Sequence, residues 1–269
     1  MADKRDASAD HNLFAEERRR RILEMLAAEN RVLVNDLSER FGVSSATLRN
    51  DLRDLEAAGL LRRTHGGAVA LETVAVEHTA DAALTEHRDA KAAIGAKAAG
   101  LVHDGDTIVI DSGSSTFEMV HALKMRHRLT IITNDFSIAA EIERLLPPDN
   151  ETIMLGGEVR RGFHYTMGSH TIASIEKLSA PVAFMATNAF SFERGFSVHT
   201  TDLAIYKEKL IERSEKQVML IDSSKFGTFT MVSFAELGDV STIITDKGID
   251  PRVRERIETT PGAPGLVVA

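Results

Sequence analysis

Small hydroxyl residues and a glycine follow a short apolar run in the stretch TIVIDSGSSTFEMV, residues 107 to 120. Helical spacing resumes at Phe117, so this cluster lies at the start of a helix, where backbone N–H groups lack partners and the helix dipole is positive. The hydroxyls add donors, and glycine allows close approach of the backbone. The pattern predicts a site for an anion such as a phosphate group, formed by Ser112, Gly113, Ser114, Ser115 and Thr116.

A simpler interpretation is a helix cap that binds only water, because Ser and Thr are common capping residues. The cluster also lacks the G-x-x-x-x-G-K-S/T pattern of a nucleotide P-loop. Nucleotide binding of that type is therefore not expected, and the two remaining interpretations stay open at this level.

Polar residues and glycines at other predicted strand ends extend the candidate site. Asp111 is a candidate to accept hydrogen bonds from a ligand hydroxyl, and Lys225 in DSSKFG is a candidate to pair with a phosphate or another ligand oxygen. The alternatives are that Asp111 only orders its own loop and that Lys225 is a solvated turn residue. Asn134 and the pair Gly156-Gly157 close strand ends on the same expected face, and rank below the serines because glycine pairs are more often turns.

Helical and strand patterns alternate through the C-terminal part of the chain. This order predicts a mostly parallel sheet covered by helices on both sides, with ligands at the carboxyl ends of the strands. The predicted helices are 90–102, 116–123, 136–145, 169–178 and 202–215, and the predicted strands are 107–110, 129–133, 151–155, 182–187, 217–222 and 241–245.

The N-terminal part has a different pattern, with helices at residues 16–28 and after Asn35, which is the expected N-cap. Gly42 ends the second helix, Ser44 caps a third that ends at Gly59, and a strand pair follows around Gly66-Gly67. Helix, helix, tight turn, helix and hairpin is the order of a winged helix-turn-helix, whose second helix of the pair enters the major groove of DNA.

The third helix has a polar face opposite its leucines. Arg49 and Asn50 are the candidates for contacts with base edges. Phosphate contacts are expected from Ser44, Ser45, Thr47 and Arg53, and wing contacts from Arg62, Arg63 and His65. The run Arg18 to Arg21 adds at most a few contacts with the DNA backbone, because about half of its side chains must face away from any one surface. The alternative for each exposed arginine is that it lies on a solvated helix face and does not bind DNA.

Composition and charge limit the classes of protein to which the chain can belong. The net charge of −8 argues at first against nucleic acid, but residues 14–71 hold ten Arg and nine acidic residues, so the acid surplus lies elsewhere. The chain has no cysteine, and its histidines show no ligand-like spacing, so we expect no disulfide, metal site or cofactor. No stretch is apolar enough for a membrane span or a secretion signal, so we expect a cytoplasmic protein without a membrane partner.

These patterns predict four segments. They are a disordered tail over 1–13, a winged helix-turn-helix domain over 14–71, a linker over 72–88 and an α/β ligand-binding domain over 89–269.

Two sets of motifs resemble those of DeoR-type bacterial transcriptional regulators. The first is LSERFGVSSATLRNDLRDLEAAGLLRRTHGGA over residues 37–68, and the second comprises DGDTIVIDSGSST, TIITND, MLGG, DSSKFG and IITD, in that order. The resemblance covers residues 16 to 247. It implies a regulator, usually a repressor, whose sensor domain is similar in fold to ribose-5-phosphate isomerase and binds a phosphorylated sugar or related metabolite.

Two positions depart from this pattern. The recognition helix has Arg49-Asn50 where the family commonly has two arginines, which implies a different operator. Leu203 stands where many relatives carry a glutamate, so the resemblance does not fix the ligand.

The leading hypothesis is thus a regulator of a carbohydrate-utilisation operon that binds double-stranded operator DNA as a dimer or tetramer, without catalytic residues, and responds to a sugar phosphate. An isomerase-like enzyme with an accessory DNA-binding segment is the rival, since fold alone does not settle function. A third hypothesis is that the pocket is vestigial and the domain only oligomerises.

Overall fold

A computed structural model describes residues 6–29, 31–70 and 73–269. The chain divides into two compact units, Met1–Glu72 and Thr73–Ala269. The first unit contains α1 (Asp6–Glu29), β1 (Arg31–Leu33), α2 (Val34–Phe41), α3 (Ser45–Ala57), β2 (Leu61–Thr64) and β3 (Gly67–Ala70).

The second unit begins with β4 (Thr73–Val74), α4 (Ala80–Thr85), α5 (Arg88–Ala99), β5 (Thr107–Ile110), α6 (Ser114–Ala122), β6 (Thr130–Thr133), α7 (Phe136–Leu145), β7 (Glu151–Met154), β8 (Glu158–Arg160) and β9 (Tyr165–Met167). It continues with α8 (Ser169–Ile175), β10 (Ala180–Ala186), β11 (Ala189–Ser191), β12 (Gly195–Val198), α9 (Thr201–Glu212), β13 (Ser214–Leu220), β14 (Thr228–Phe229), β15 (Val232–Ala235), β16 (Thr242–Thr245), α10 (Pro251–Thr259) and β17 (Gly265–Val268).

Helices α1, α2 and α3 pack with a small antiparallel sheet of order β1-β3-β2. Gly42 adopts a left-handed φ of 64° between α2 and α3, a conformation that glycine reaches without strain. Ser44 caps α3 by accepting a hydrogen bond from the Thr47 amide at 3.2 Å, which confirms the predicted cap. Leu48, Leu52 and Leu55 of α3 are buried in the shared core.

Three details of the first unit differ from expectation. Strand β1 was not predicted, and α2 begins at Val34 rather than after an Asn35 cap. The reason is that the Val34 amide donates to the Gly66 carbonyl at 2.8 Å, so the wing supplies the partner that a cap would provide. Residues 6–13, expected to be disordered, form the first turns of α1, because adding residues to an established helix costs little. The rest of that predicted tail lies outside the described residues.

Two arginines of α1 tie that helix to α3. Asp51 is buried, and its carboxylate accepts Arg18 Nε at 2.6 Å and Arg19 Nε at 3.0 Å. Arg19 also bonds Asp54 at 2.6 Å. Arg18 and Arg19 therefore hold the first unit together, and the predicted arginine run does not act as one charged surface.

The second unit is built on a parallel sheet of order β17-β16-β13-β10-β5-β6-β7 within the described residues. Successive side chains of a strand point to opposite faces. Accordingly, Ile108 and Ile110 of β5 lie in a core with α5, α6 and α7, whereas Val109 lies in a second core with α8, α9 and α10. The predicted parallel sheet with helices on both sides is confirmed.

The order in which strands are added to this sheet changes direction at β5. From β5 the chain passes to β6 and β7 on one side, and then returns to β10, β13, β16 and β17 on the other. Ligands of open α/β sheets bind at the carboxyl ends of the strands on either side of such a point. Topology therefore predicts a site between the ends of β5 and β10.

Several smaller elements were absent from the sequence prediction. These are α10, β17, the antiparallel pair β8-β9, the antiparallel set β11-β12-β15 and the parallel pair β4-β14. The pair β4-β14 places residues 73–74 in the second unit, inside the segment expected to be a linker. None of the described helices is both long and apolar enough to span a membrane.

We expect Asp51→Asn to lower the free energy of opening of the first unit by about 3 kcal/mol, because breaking a buried ion pair leaves Arg18 without its partner. Asp54→Asn removes an exposed pair of the same arginine cluster and should cost about 0.2–1 kcal/mol. Native-state hydrogen exchange at the amides of Leu52 and Leu55 measures both values. Equal, small effects of the two substitutions would show that Asp51 is not the anchor.

Candidate functional site

A cavity of about 120 Å³ lies at the carboxyl ends of the central strands of the second unit. Its lining includes Ser112 to Ser115 after β5, Asp135 and Ser137 after β6, Ala186 to Asn188 after β10, and Asp222 and Lys225 after β13. These segments follow neighbouring strands, and the ends of β5 and β10 are among them, as the topology predicts.

The N-terminus of α6 faces this cavity without a side-chain cap. Gly113 is the N-cap residue, and the first helical bond runs from the Phe117 amide to the Gly113 carbonyl at 2.9 Å. The preceding amides of the helix are therefore available to a ligand. A Cβ atom at Gly113 would lie 2.5 Å from the Cβ of Ala186, so only glycine allows the ends of β5 and β10 to approach this closely.

The predicted serine cluster divides into lining and supporting residues. Ser112, Gly113, Ser114 and Ser115 line the cavity. Thr116 is buried and donates its hydroxyl to the Gly113 carbonyl at 2.8 Å, so it orders the loop from behind.

Asp111 is fully buried and forms an ion pair with Lys207 of α9, whose side chain is also buried. Lys207 Nζ also donates to the Ala186 carbonyl at 2.8 Å, and Asp111 Oδ2 accepts the Ala186 amide at 3.1 Å. The pair thus joins α9 to the ends of β5 and β10. Lys207 lines the cavity, whereas Asp111 is outside the lining.

Lys207 was missed by sequence reasoning, although a signal was present. It lies at helical spacing from Leu203 and Leu210, on the buried face of α9. A lysine on an apolar helix face requires a buried partner. Leu203 also lines the cavity, at the position where a glutamate was expected from the resemblance.

Lys225 lies in a short 3-10 turn and lines the cavity. Among the described residues, its Nζ atom has no carboxylate within salt-bridge distance, in contrast to Lys207. An unpaired cation at the wall of a cavity is available to an anionic ligand.

Asn134, Gly156 and Gly157 lie outside the cavity lining. The buried Asn134 side chain donates to the Thr166 carbonyl at 3.1 Å. Gly156 accepts the Thr171 hydroxyl at 2.8 Å, and a Cβ atom at Gly157 would lie 2.4 Å from the Met167 carbonyl oxygen. Their contacts hold β9 and α8 near the ends of β6 and β7.

Two further ionisable groups in the lining, Asp135 and Lys91, were also missed. Asp135 caps α7 by accepting the amides of Ser137 at 2.8 Å and Ile138 at 3.1 Å, and burial raises the pKa of its carboxyl. Lys91 donates to the Ala83 carbonyl at 2.5 Å, and burial lowers the pKa of its ammonium group.

A second candidate surface lies on α3 of the first unit. The buried positions 48, 51, 52 and 55 occupy one face, and the exposed positions 46, 49, 50 and 53 occupy the opposite face at the same spacing. Arg49, Asn50 and Arg53 are therefore displayed together, as predicted, on a helix that is fixed by its own core.

Ser44 is exposed beside this face, and Ser45 and Thr47 are partly exposed. In the wing, Arg62, Arg63 and His65 are exposed. Arg63 is bonded through Nε to Glu56 of α3 at 2.6 Å, and this bond lowers the pKa of the Glu56 carboxyl. Arg63 thus ties the wing to the helix, whereas Arg62 extends from the same strand.

Family models match both parts of the chain. Residues 18–74 match a DeoR-like helix-turn-helix domain, and residues 86–247, more than half of the chain, match the DeoR C terminal sensor domain. The chain belongs to the DeoR family of transcriptional regulators.

Curated DeoR-family relatives are similar over most of their length. The transcriptional regulator GlpR of Haloferax volcanii is 33% identical, with 90% of this chain and 94% of the relative covered. The transcriptional repressor AccR of Agrobacterium fabrum is 32% identical, with 91% and 93% covered. Among solved structures, ribose 5 phosphate isomerase A from Neisseria gonorrhoeae has a TM-score of 0.38 and 16% identity, over 51% of this chain and 53% of that one.

Replacement of Asp135 by Asn should make stability less dependent on pH. Because burial raises the folded-state pKa, the carboxyl contributes stability that is complete below its unfolded value near 3.8 and is lost as pH rises through the folded value. Asn keeps an oxygen for the cap and does not titrate. The stability of wild type relative to Asp135→Asn should therefore fall as pH rises from the unfolded pKa to the folded pKa of this carboxyl. Above the folded pKa, the difference in stability should stay constant.

Urea unfolding from about pH 3.5 to about pH 7 measures this difference. Ser137→Ala provides a matched test, because the Ser137 hydroxyl bond lowers the Asp135 pKa and its removal should extend the window upward. A stability difference that is constant with pH would contradict the assignment.

Proposed function

We propose that this DeoR-family protein is a repressor of a carbohydrate-utilisation operon whose affinity for its operator is set by a phosphorylated sugar or related metabolite. The observation that carries the effector half is the uncapped N-terminus of α6, with Ser112 to Ser115, in a cavity that is also lined by Lys225, which pairs with no carboxylate of the described residues. Backbone amides, hydroxyls and a cation are the groups that recognise phosphate in proteins. We expect the protein to act in the cytoplasm.

Repression is supported by two relatives that are named as repressors, the transcriptional repressor AccR and a putative aga operon transcriptional repressor of Escherichia coli O157:H7 that is 31% identical. A dimer or tetramer is the assembly that we propose, because symmetric oligomers of winged helices bind paired half-sites.

Enzymatic isomerisation is less well supported than sensing. The buried carboxylate and lysine that most resemble an acid–base pair, Asp111 and Lys207, bond to each other and to the backbone of Ala186. They neutralise each other and fix strand ends, which is a structural task.

For DNA, we propose that Arg49 and Asn50 contact base edges and that Ser44, Ser45, Thr47 and Arg53 contact phosphates. Arg49 and Asn50 are exposed at adjacent positions on the outer face of α3, and a bidentate arginine contact is the commonest specific contact with guanine. The wing residues Arg63 and His65 add backbone contacts in this proposal. Arg63 does so while it remains bonded to Glu56.

Arg49→Ala should weaken binding to the selected operator by about 1–3 kcal/mol and relax the sequence preference at one base pair. The operator is first obtained by selection from a random double-stranded library with the wild-type protein. Arg254→Ala is the control, because Arg254 is an exposed arginine of α10 that pairs with Glu258. Fluorescence anisotropy at several salt concentrations measures affinity and the salt slope. An Arg49 effect no larger than the Arg254 effect would refute the contact.

Ser114→Asp should abolish binding of phosphorylated ligands. A carboxylate in the first turn of α6 interacts favourably with the helix dipole, so we expect the fold to be retained. The same carboxylate occupies the anion site and repels an anionic ligand. Lys225→Ala should weaken binding about 10- to 100-fold, corresponding to one charge-assisted hydrogen bond of about 1.5–3 kcal/mol. Lys124→Ala is the matched control, since Lys124 is an exposed lysine outside the cavity lining.

Thermal shift with inorganic phosphate and with a panel of pentose and hexose phosphates measures ligand binding for all four proteins. The strongest ligand is then titrated into the operator complex. An unchanged melting temperature of wild type with every phosphate compound would remove the effector half of the proposal and favour a vestigial pocket.

A further inference from the structure

One wall of the cavity is the segment that follows the first unit in the chain. We call residues 73–87 the strap. The strap pairs with β14 through β4, and the amides of Ala75 and Ala80 donate to the carbonyls of Phe229 and Gly162, each at 2.8 Å. Val76, Glu77, His78 and Glu86 are among its residues that line the cavity. The strap is thus part of the binding site as well as a connection in the sequence.

Glu77 of the strap forms a two-point ion pair with Arg160 at the end of β8. Glu77 Oε1 lies 2.7 Å from Arg160 Nη1, and Glu77 Oε2 lies 2.9 Å from Nη2. Both side chains line the cavity and are partly exposed, at 28% and 24%. An ion pair that is open to the cavity in this way is accessible to a competing anion.

The guanidinium of Arg160 is held in place independently of Glu77. Its Cζ atom lies 3.8 Å from the centroid of the Phe163 ring, and its Nη1 atom donates to the Tyr165 hydroxyl at 2.5 Å. Ring stacking and a hydroxyl bond orient the planar group. Arg160 would therefore keep its position and its donors if the Glu77 carboxylate left.

A phosphate or carboxylate group presents two oxygens in the same geometry as Glu77. Arginine binds such groups with two parallel hydrogen bonds, which is the arrangement that Glu77 makes here. An anionic ligand in the cavity and the Glu77 carboxylate thus compete for the same two nitrogen atoms. Glu77 has the advantage of being tethered to the protein, which raises its effective concentration.

We propose that Arg160 is a second anion-recognising group of the cavity and that Glu77 is an internal competitor, displaced when the ligand's acidic group binds Arg160. The proposal rests on the proposed function, because it assumes an anionic ligand. Displacement removes one of the contacts that hold the strap, so the backbone bonds of Ala75 and Ala80 open more readily. Ligand binding is thereby reported to the segment that continues, in sequence, from the winged-helix unit.

Glu77→Gln in the full-length protein tests the competition, with inorganic phosphate as the probe and isothermal titration as the measurement. Removing an internal competitor raises the fraction of binding-competent Arg160, and we expect phosphate to bind about tenfold more tightly. The gain should disappear in Glu77→Gln/Arg160→Gln. It should persist in Glu77→Gln/Lys225→Ala relative to Lys225→Ala, because the Lys225 substitution weakens phosphate binding without abolishing it. Asp81→Asn is the matched control, since Asp81 is a strap carboxylate that lies near His164 and outside the cavity lining.

Hydrogen exchange gives a second readout that does not depend on ligand affinity. The amides of Ala75 and Ala80 should exchange about five- to tenfold faster in Glu77→Gln than in wild type or Asp81→Asn, as expected for a local opening. Saturating phosphate should speed the same amides in wild type and leave the core amide of Ile131 unchanged.

The outcomes separate the two proposals. Phosphate that binds wild type and Glu77→Gln with equal affinity, without a change at Ala75 and Ala80, overturns the internal competitor and leaves the sensor intact. Phosphate that binds none of these proteins overturns the sensor and the competitor together.

Discussion

The buried ion pair between Asp111 and Lys207 is the interaction on which the cavity depends. Two charges removed from water cost several kcal/mol each unless they are paired and hydrogen-bonded. Here the Asp111 carboxylate also accepts the Ala186 amide at 3.1 Å, and the Lys207 ammonium group also donates to the Ala186 carbonyl at 2.8 Å. The pair can therefore exist only when the ends of β5 and β10 and one face of α9 are at fixed positions. This requirement determines the geometry of the loop that follows Asp111, which contains Ser112 to Ser115.

The same requirement explains how the cavity distributes its positive charge. Lys207 is neutralised by Asp111, and Arg160 by Glu77, whereas Lys91 bonds to a carbonyl and has a pKa lowered by burial. Among the described residues of the lining, Lys225 is the lysine without such a partner. The anionic ligand that we propose would therefore bind through the few groups that remain available, and it must supply oxygens where those groups lie.

Periodicity predicted the helices and strands that form the parallel sheet, because each buries one regular face. It also predicted the outer face of α3 and the loop after β5. It failed at β1, β4 and β17, which are short and pair with strands distant in the sequence, and at the start of α2, where the Gly66 carbonyl replaces a cap. Such long-range partners leave no periodic signal.

Three of the charged residues that were missed share a recognisable feature. Asp51, Lys91 and Lys207 each occupy a position on the apolar face of a helix, among buried residues three or four positions away. A charge at such a position must find a partner inside the protein. Asp51 anchors two arginines of α1, and Lys207 anchors a strand end. The sequence identifies these residues as paired, but the partner depends on the tertiary fold.

A regulator of this kind needs a free-energy difference between states, and that difference cannot exceed the differential affinity of the ligand for them. A rigid pocket that binds phosphate equally well in every state would regulate nothing. In our proposal, a ligand that competes with Glu77 for Arg160 binds more tightly to the state in which the strap has released Arg160, and this competition is the source of the required difference. The free energy that the internal competitor subtracts from ligand affinity is then the upper limit of what ligand binding can contribute to control of the operator.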